Sequence, residues 1–155
     1  MPKSRLRPIT ILMADDDEDD RRLTEDAFRE AKLHNDLRFV VDGAELLDYL
    51  QRRGIYTDPE SSPRPGLILL DLNMPKVDGR EALERIKADP ELRRIRVVVL
   101  TTSKAEEDIL RTYNLSAASY ITKPVTFEAL VDVVHTLGRY WLEIVELPDN
   151  GSHAS

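Results

Sequence analysis

Five short apolar runs alternate with stretches of helical spacing, and that alternation leaves few folds open to this chain. The runs are residues 9–14, 37–41, 67–70, 97–100 and 120–122, β-branched or rich in leucine. Between them apolar residues recur every three or four positions: Leu23, Ala27, Phe28 and Ala31, then Leu46, Leu47 and Leu50, then Ala82, Leu83 and Ile86 within 81–89. Ile109, Leu110 and Tyr113 repeat the spacing within 106–115, and a last stretch begins near Phe127. Strands that read as continuous apolar runs are buried on both faces. Strands separated by helices join by right-handed crossovers into a parallel sheet. The expected fold is α/β, a doubly wound five-stranded parallel sheet, whose ligands sit outside the carboxyl ends of the strands where strand order switches.

Punctuation supports the division. Asp42-Gly43, Arg53-Gly54 and Asp78-Gly79 read as turns. Residues 56–66 hold three prolines and two serines and read as a surface loop, longer than such connections usually are. At 155 residues the chain suits one domain: a tail at 1–8, the domain over 9–148 with a C-terminal helix over 127–147, and a polar stretch at 149–155 expected as a disordered tail or tag remnant. No apolar run approaches the roughly 20 residues of a membrane span, and residues 1–8 lack the apolar stretch of a secretory signal. The expectation is a cytoplasmic protein with no membrane partner. Without cysteine, thiolate chemistry and disulfides are excluded. The net charge of −7 disfavours nucleic acid as a partner. His34, His135 and His153 are scattered and form no expected site.

The strand ends carry the chemistry. The first runs into six consecutive acids, Asp15 to Asp20. Asp17 to Asp20 suit a helix N-terminus, where carboxylates cap the backbone and face the positive end of the dipole. Asp15 and Asp16 sit at the end of a buried strand, as does Asp71 after Leu69-Leu70. Three carboxylates gathered there would raise a pKa or demand a cation, and Mg²⁺, a hard ion with oxygen ligands, meets that demand. On the acids alone, a solvated acidic rim explains them equally well. The fourth strand, however, ends at Thr101 and the fifth leads to Lys123. Acids, a hydroxyl and an ammonium on one sheet edge are the parts of a phosphoryl-transfer site.

The string Asp71-Leu72-Asn73-Met74-Pro75-Lys76-Val77-Asp78-Gly79 resembles the D-x-N-M-P-x-x-D-G signature of response-regulator receiver domains. The Asp15-Asp16 pair, Thr101 and Lys123-Pro124 complete the pattern over roughly residues 9–137. The resemblance implies a flavodoxin-like receiver fold, similar to the chemotaxis regulators. It implies a signalling phosphoacceptor that catalyses only its own phosphorylation and dephosphorylation. Asp71 would be the phosphoacceptor, with Asp15, Asp16, Asp71 and the Asn73 backbone carbonyl around Mg²⁺, for which Mn²⁺ or Ca²⁺ can substitute. Lys123 would pair with the phosphoryl group, the bond before Pro124 would be cis, and Thr101 and Tyr120 would move together as the switch. The donor would be a phosphohistidine on a sensor histidine kinase.

Beyond a minimal receiver, the C-terminal stretch carries two adjacent apolar stripes. They include Val133, Leu137, Tyr140, Trp141 and Ile144, a face wide enough to expect a homodimer interface. With Val41-Asp42-Gly43, Leu100-Thr101-Thr102-Ser103 and Tyr140-Trp141, these features resemble the small stand-alone regulators of bacterial phytochrome kinases, implying a bacteriophytochrome partner. No helix-turn-helix fits between Leu147 and Ser155, so the expected output is a downstream protein. A phosphorelay intermediate or phosphate sink would use the same site. A cofactor binder would need a phosphate cradle where this chain is Asp-rich, and a Mg²⁺-dependent phosphohydrolase would need its aspartate after the first strand.

Overall fold

The computed structural model describes residues 9–72, 74, 79–101 and 119–139. The five strands are β1 (Thr10–Ala14), β2 (Asp36–Val40), β3 (Leu67–Asp71), β4 (Arg96–Thr101) and β5 (Ser119–Thr122). The helices are α1 (Glu18–Glu30), α2 (Gly43–Leu50), α3 (Gly79–Ala88) and, last among the described residues, α4 (Phe127–Leu137). All neighbours pair parallel in the order β2-β1-β3-β4-β5, the flavodoxin-like doubly wound order. The helical stretch expected at 106–115 and the continuation of the last helix to 147 lie outside the described residues.

The period of two along each strand sorts the core. Leu12, Ala14, Ile68, Leu70, Val97 and Val99 pack with α2 and α3 on one face. Ile11, Met13, Leu67, Leu69, Val98 and Leu100 pack with α1 and α4 on the other. Both sets are buried, which is why the runs show no polar alternation.

The helix starts are built from side chains. Asp17 caps α1, its Oδ1 accepting the Asp19 N–H at 2.8 Å. Asp42 caps α2 by accepting the Glu45 N–H at 2.7 Å, while Glu45 Oε1 reaches one residue past the cap to accept the Val41 N–H at 2.8 Å. Gly43 and Gly79 are the first residues of helices, so the Asp42-Gly43 pair is the entry to α2; Asp78 lies outside the described residues.

Two expectations change, for Leu23 and Leu137. Leu23 is 43% exposed; the buried face of α1 is Thr24, Ala27 and Phe28. Thr24 can face inward because its hydroxyl donates to the Asp20 carbonyl at 2.9 Å. The 56–66 loop lies on the surface as expected, and side chains strap it down. The Tyr49 hydroxyl donates to the Pro63 carbonyl at 2.7 Å, Arg38 to the Ser61 carbonyl at 2.6 Å, and the Tyr56 hydroxyl to the Glu45 carboxylate. Leu137, placed on the dimer face above, is 3% exposed and packs against the chain's own core beside Val134, so it offers no surface to a second copy. The close packing of α4 explains this: a Cβ on Gly138 would lie 2.9 Å from Leu33 Cδ1. Val133 is half-buried against the same cluster, and Tyr140, Trp141 and Ile144 lie outside the described residues.

Candidate functional site

β1 and β3 are neighbours in register, Ala14 opposite Leu70, at the point where strand order reverses. Their ends therefore deliver Asp15 and Asp71 side by side. Asp15 is fully buried and Asp71 is 3% exposed, while Asp16 is exposed. One carboxylate oxygen from each of Asp15, Asp16 and Asp71 lies within 4.8 Å of the other two. Lys123, just past β5, reaches across: its Nζ is 3.3 Å from Asp71 Oδ2 and 3.2 Å from Asp15 Oδ2. Its backbone N–H donates to the Thr101 carbonyl at 2.7 Å, which continues the β4–β5 pairing. Thr101 is buried at the end of β4, one step beyond the Asp71–Leu100 pair. Tyr120 is half-buried on β5, against the α2–α3 side of the core. Asn73 and Pro75 lie outside the described residues.

Gly79 is required by close approach. A Cβ there would stand 2.6 Å from Leu72 Cα and 2.7 Å from the Asp71 carbonyl oxygen. Those are backbone atoms at the end of β3, so a side chain would displace Asp71 itself. The Lys123–Pro124 bond is trans, not the cis bond implied by the resemblance; trans is the lower-energy isomer by about 0.5–1 kcal/mol even before proline.

One residue of the constellation escaped the sequence reading. Asp20, assigned above to the helix N-terminus, accepts from Lys123 Nζ at 2.7 Å, the shortest of the lysine's carboxylate contacts. Arg21 also turns back, donating to the Asp15 carbonyl at 2.8 Å. Within the run of six acids nothing in the sequence singled Asp20 out, because the lysine it meets lies 103 residues away.

The electrostatics follow from burial. Desolvation pushes Asp15 up to about 6 from 3.8, against the lowering effects of the Asp17 N–H and the Lys123 ammonium. Burial disfavours the charge on Lys123, yet Asp20, Asp15 and Asp71 together hold it above the ordinary lysine range. Asp15 Oδ1 accepts the Asp17 N–H at 2.9 Å, while its buried Oδ2 faces the Lys123 ammonium at 3.2 Å without a hydrogen bond. A buried carboxylate oxygen lacking a hydrogen bond, beside two further carboxylates, fits a hard divalent cation.

These facts set a pH dependence. A folded chain whose Asp15 titrates near 6 keeps a proton that the unfolded chain has already lost above 3.8. That side chain therefore weakens the metal-free fold as pH rises through this window, the reverse of a salt-bridged aspartate. In EDTA, Asp15→Asn is expected to match wild type near pH 4 and to exceed it in urea midpoint near pH 7. An advantage that does not grow with pH would contradict the assignment.

Comparison with known proteins agrees with this geometry. The response regulator receiver domain model matches residues 11–135. The chain is 43% identical to the response regulator Rcp1 of Synechocystis sp., covering 91% of this chain and 94% of that protein. The Mn²⁺-bound structure of Rcp1 superposes with a TM-score of 0.78 over 91% of this chain and 99% of that one. The phosphorylated cyanobacterial phytochrome response regulator RcpA gives 0.80 at 41% identity, over 92% and 99%. The bacteriophytochrome response regulator AtBRR gives 0.73 at 36% identity, over 91% and 99%. The chain belongs to the response regulator receiver domain family. It is a signalling receiver with an acidic cluster suited to a divalent cation. Among the described residues no helix is long and apolar enough to cross a membrane.

Proposed function

We propose that this receiver takes a phosphoryl group onto Asp71; the carrying observation is the buried Asp71 carboxylate clustered with those of Asp15 and Asp16 and 3.3 Å from the Lys123 ammonium. An Asp71 oxygen attacks phosphorus in line. The new P–O bond forms as the bond to the donor nitrogen breaks, and the electron pair leaves with the donor's imidazole. Asp15, Asp16 and Asp71, with the Asn73 carbonyl, would hold the cation, which we assign as Mg²⁺. It would supply positive charge to offset the negative charge shared by Asp71 and the incoming phosphoryl oxygens. Lys123 pairs with those oxygens, and the Thr101 hydroxyl donates to them. That movement opens space beside β5 which Tyr120 fills, so a local charge change becomes a change of surface.

The donor we propose is a phosphohistidine on a sensor kinase. The phytochrome regulators among the relatives support a bacteriophytochrome in that role. Pairing of two copies remains part of this reading, through Val133, Tyr140, Trp141 and Ile144, without Leu137.

Acetyl phosphate with Mg²⁺ is expected to add one phosphate per chain, and EDTA to prevent it. Labelling that ignores EDTA would remove the metal from the reading. Light scattering on the same samples is expected at twice the chain mass, and the mass of one chain in both states would remove the dimer.

A further inference from the structure

Lys123 has to present its ammonium to Asp71 from the end of a flexible four-carbon stem. Its backbone is pinned by the 2.7 Å bond to the Thr101 carbonyl, but that fixes only the Cα. The side chain borders an apolar cleft of about 140 Å³ between α1 and α4, lined by residues such as Leu23, Leu69, Phe127 and Leu130. Those apolar side chains cannot hold an ammonium; the acids of the same lining, Asp15 and Asp20, can. The group that holds it is Asp20, at 2.7 Å, against 3.2 Å to Asp15 and 3.3 Å to Asp71. Asp20 is itself anchored. Its N–H donates to Asp17 Oδ1 at 3.4 Å, and its carbonyl accepts the Thr24 hydroxyl at 2.9 Å, so the carboxylate stands on a capped first turn of helix.

We propose that Asp20 is the positioning residue of Lys123: it holds the ammonium on the α1 side of Asp71, so that the lysine stays within reach while charge at the acceptor changes. An ammonium has three donors, so it can keep the Asp20 bond and still turn a donor to Asp71 or to a phosphoryl oxygen. Asp20 touches neither phosphorus nor the acceptor in this scheme and acts only through Lys123. The proposal rests on Asp71 being the acceptor, but it fails separately, because wild-type labelling tests that reading alone.

The test is a double-mutant cycle on the initial rate of phosphate uptake from acetyl phosphate at saturating Mg²⁺. Asp20→Asn keeps an acceptor but loses its charge, and charge-assisted bonds are roughly twice as strong as neutral ones. It is expected to slow uptake about tenfold. In a Lys123→Ala background the same change is expected to alter the rate by less than about twofold, because the group it positions is gone. Asp20→Glu should recover part of the rate, and Mg²⁺ affinity should stay within about twofold throughout. An unchanged or faster Asp20→Asn, or an equal factor in both backgrounds, would overturn the role. The first two outcomes would make Asp20 idle or a competitor for the lysine. The third would mean that it acts through the helix.

Discussion

Asp71→Asn is expected to take up no phosphate from acetyl phosphate and Mg²⁺ under conditions that label wild type once per chain. The amide nearly matches the carboxylate in shape, so β3, which is buried from Leu67 to Asp71, keeps its packing. What is lost is the nucleophile, because an amide oxygen is too weak a base to displace an imidazole or acetate from phosphorus. Two secondary effects carry the same sign of evidence. The metal-free variant should be more stable than wild type, since a buried acid next to Asp15 no longer repels it. Its Mg²⁺ affinity should drop by about tenfold or more, the cost of losing a charged oxygen ligand. Intact-mass spectrometry and a metal titration measure these. Equal labelling of both proteins would place the acceptor elsewhere.

Lys123→Ala is expected to have the largest effect on the fold itself. In wild type the ammonium lies within 3.3 Å of Asp15, Asp20 and Asp71, and Asp15 is fully buried. Removing one partner of a buried pair leaves the other charge uncompensated, at about 3–5 kcal/mol. Lys123 and Asp20 are partly solvated, 23% and 35% exposed, so about 2–4 kcal/mol is the expected loss for the metal-free protein near pH 7. That corresponds to a fall in Tm on the order of 10 °C. Two conditions should narrow the gap. Saturating Mg²⁺ supplies positive charge to the same carboxylates. Below about pH 6 the folded Asp15 holds its proton and has no charge to leave unpaired. Equal melting of wild type and variant in EDTA at pH 7 would show that the lysine compensates nothing. Mg²⁺ affinity should not fall, because the variant has lost a competing cation.

The sheet was legible because its signal is local. Each run of three to six residues announces a strand, of which the central β1, β3 and β4 are buried on both faces and the edge strands β2 and β5 only in part. The strand bounds differ from the expected ones by a residue or so. Asp15, Asp16, Asp71 and Lys123 were legible for a related reason: each follows the end of such a run, and parallel strands put all their ends on one edge. The helices were harder. On α1 the apolar spacing points Leu23 inward, but Thr24 takes that place because its hydroxyl is satisfied within the helix.

By itself, then, the amino-acid order determined which segments are strands, on which edge their polar ends gather, and which carboxylates stand next to a buried strand. These are consequences of period and chain direction, which need no partner to be read. Only the tertiary structure decided that Asp20 grips Lys123 across 103 residues of sequence and that Leu137 belongs to the core. It likewise decided that Asp15 Oδ2 is buried facing the Lys123 ammonium without a hydrogen bond. Each of these depends on how closely α1 and α4 settle against the same face of the sheet, a distance set by packing between segments far apart in the chain.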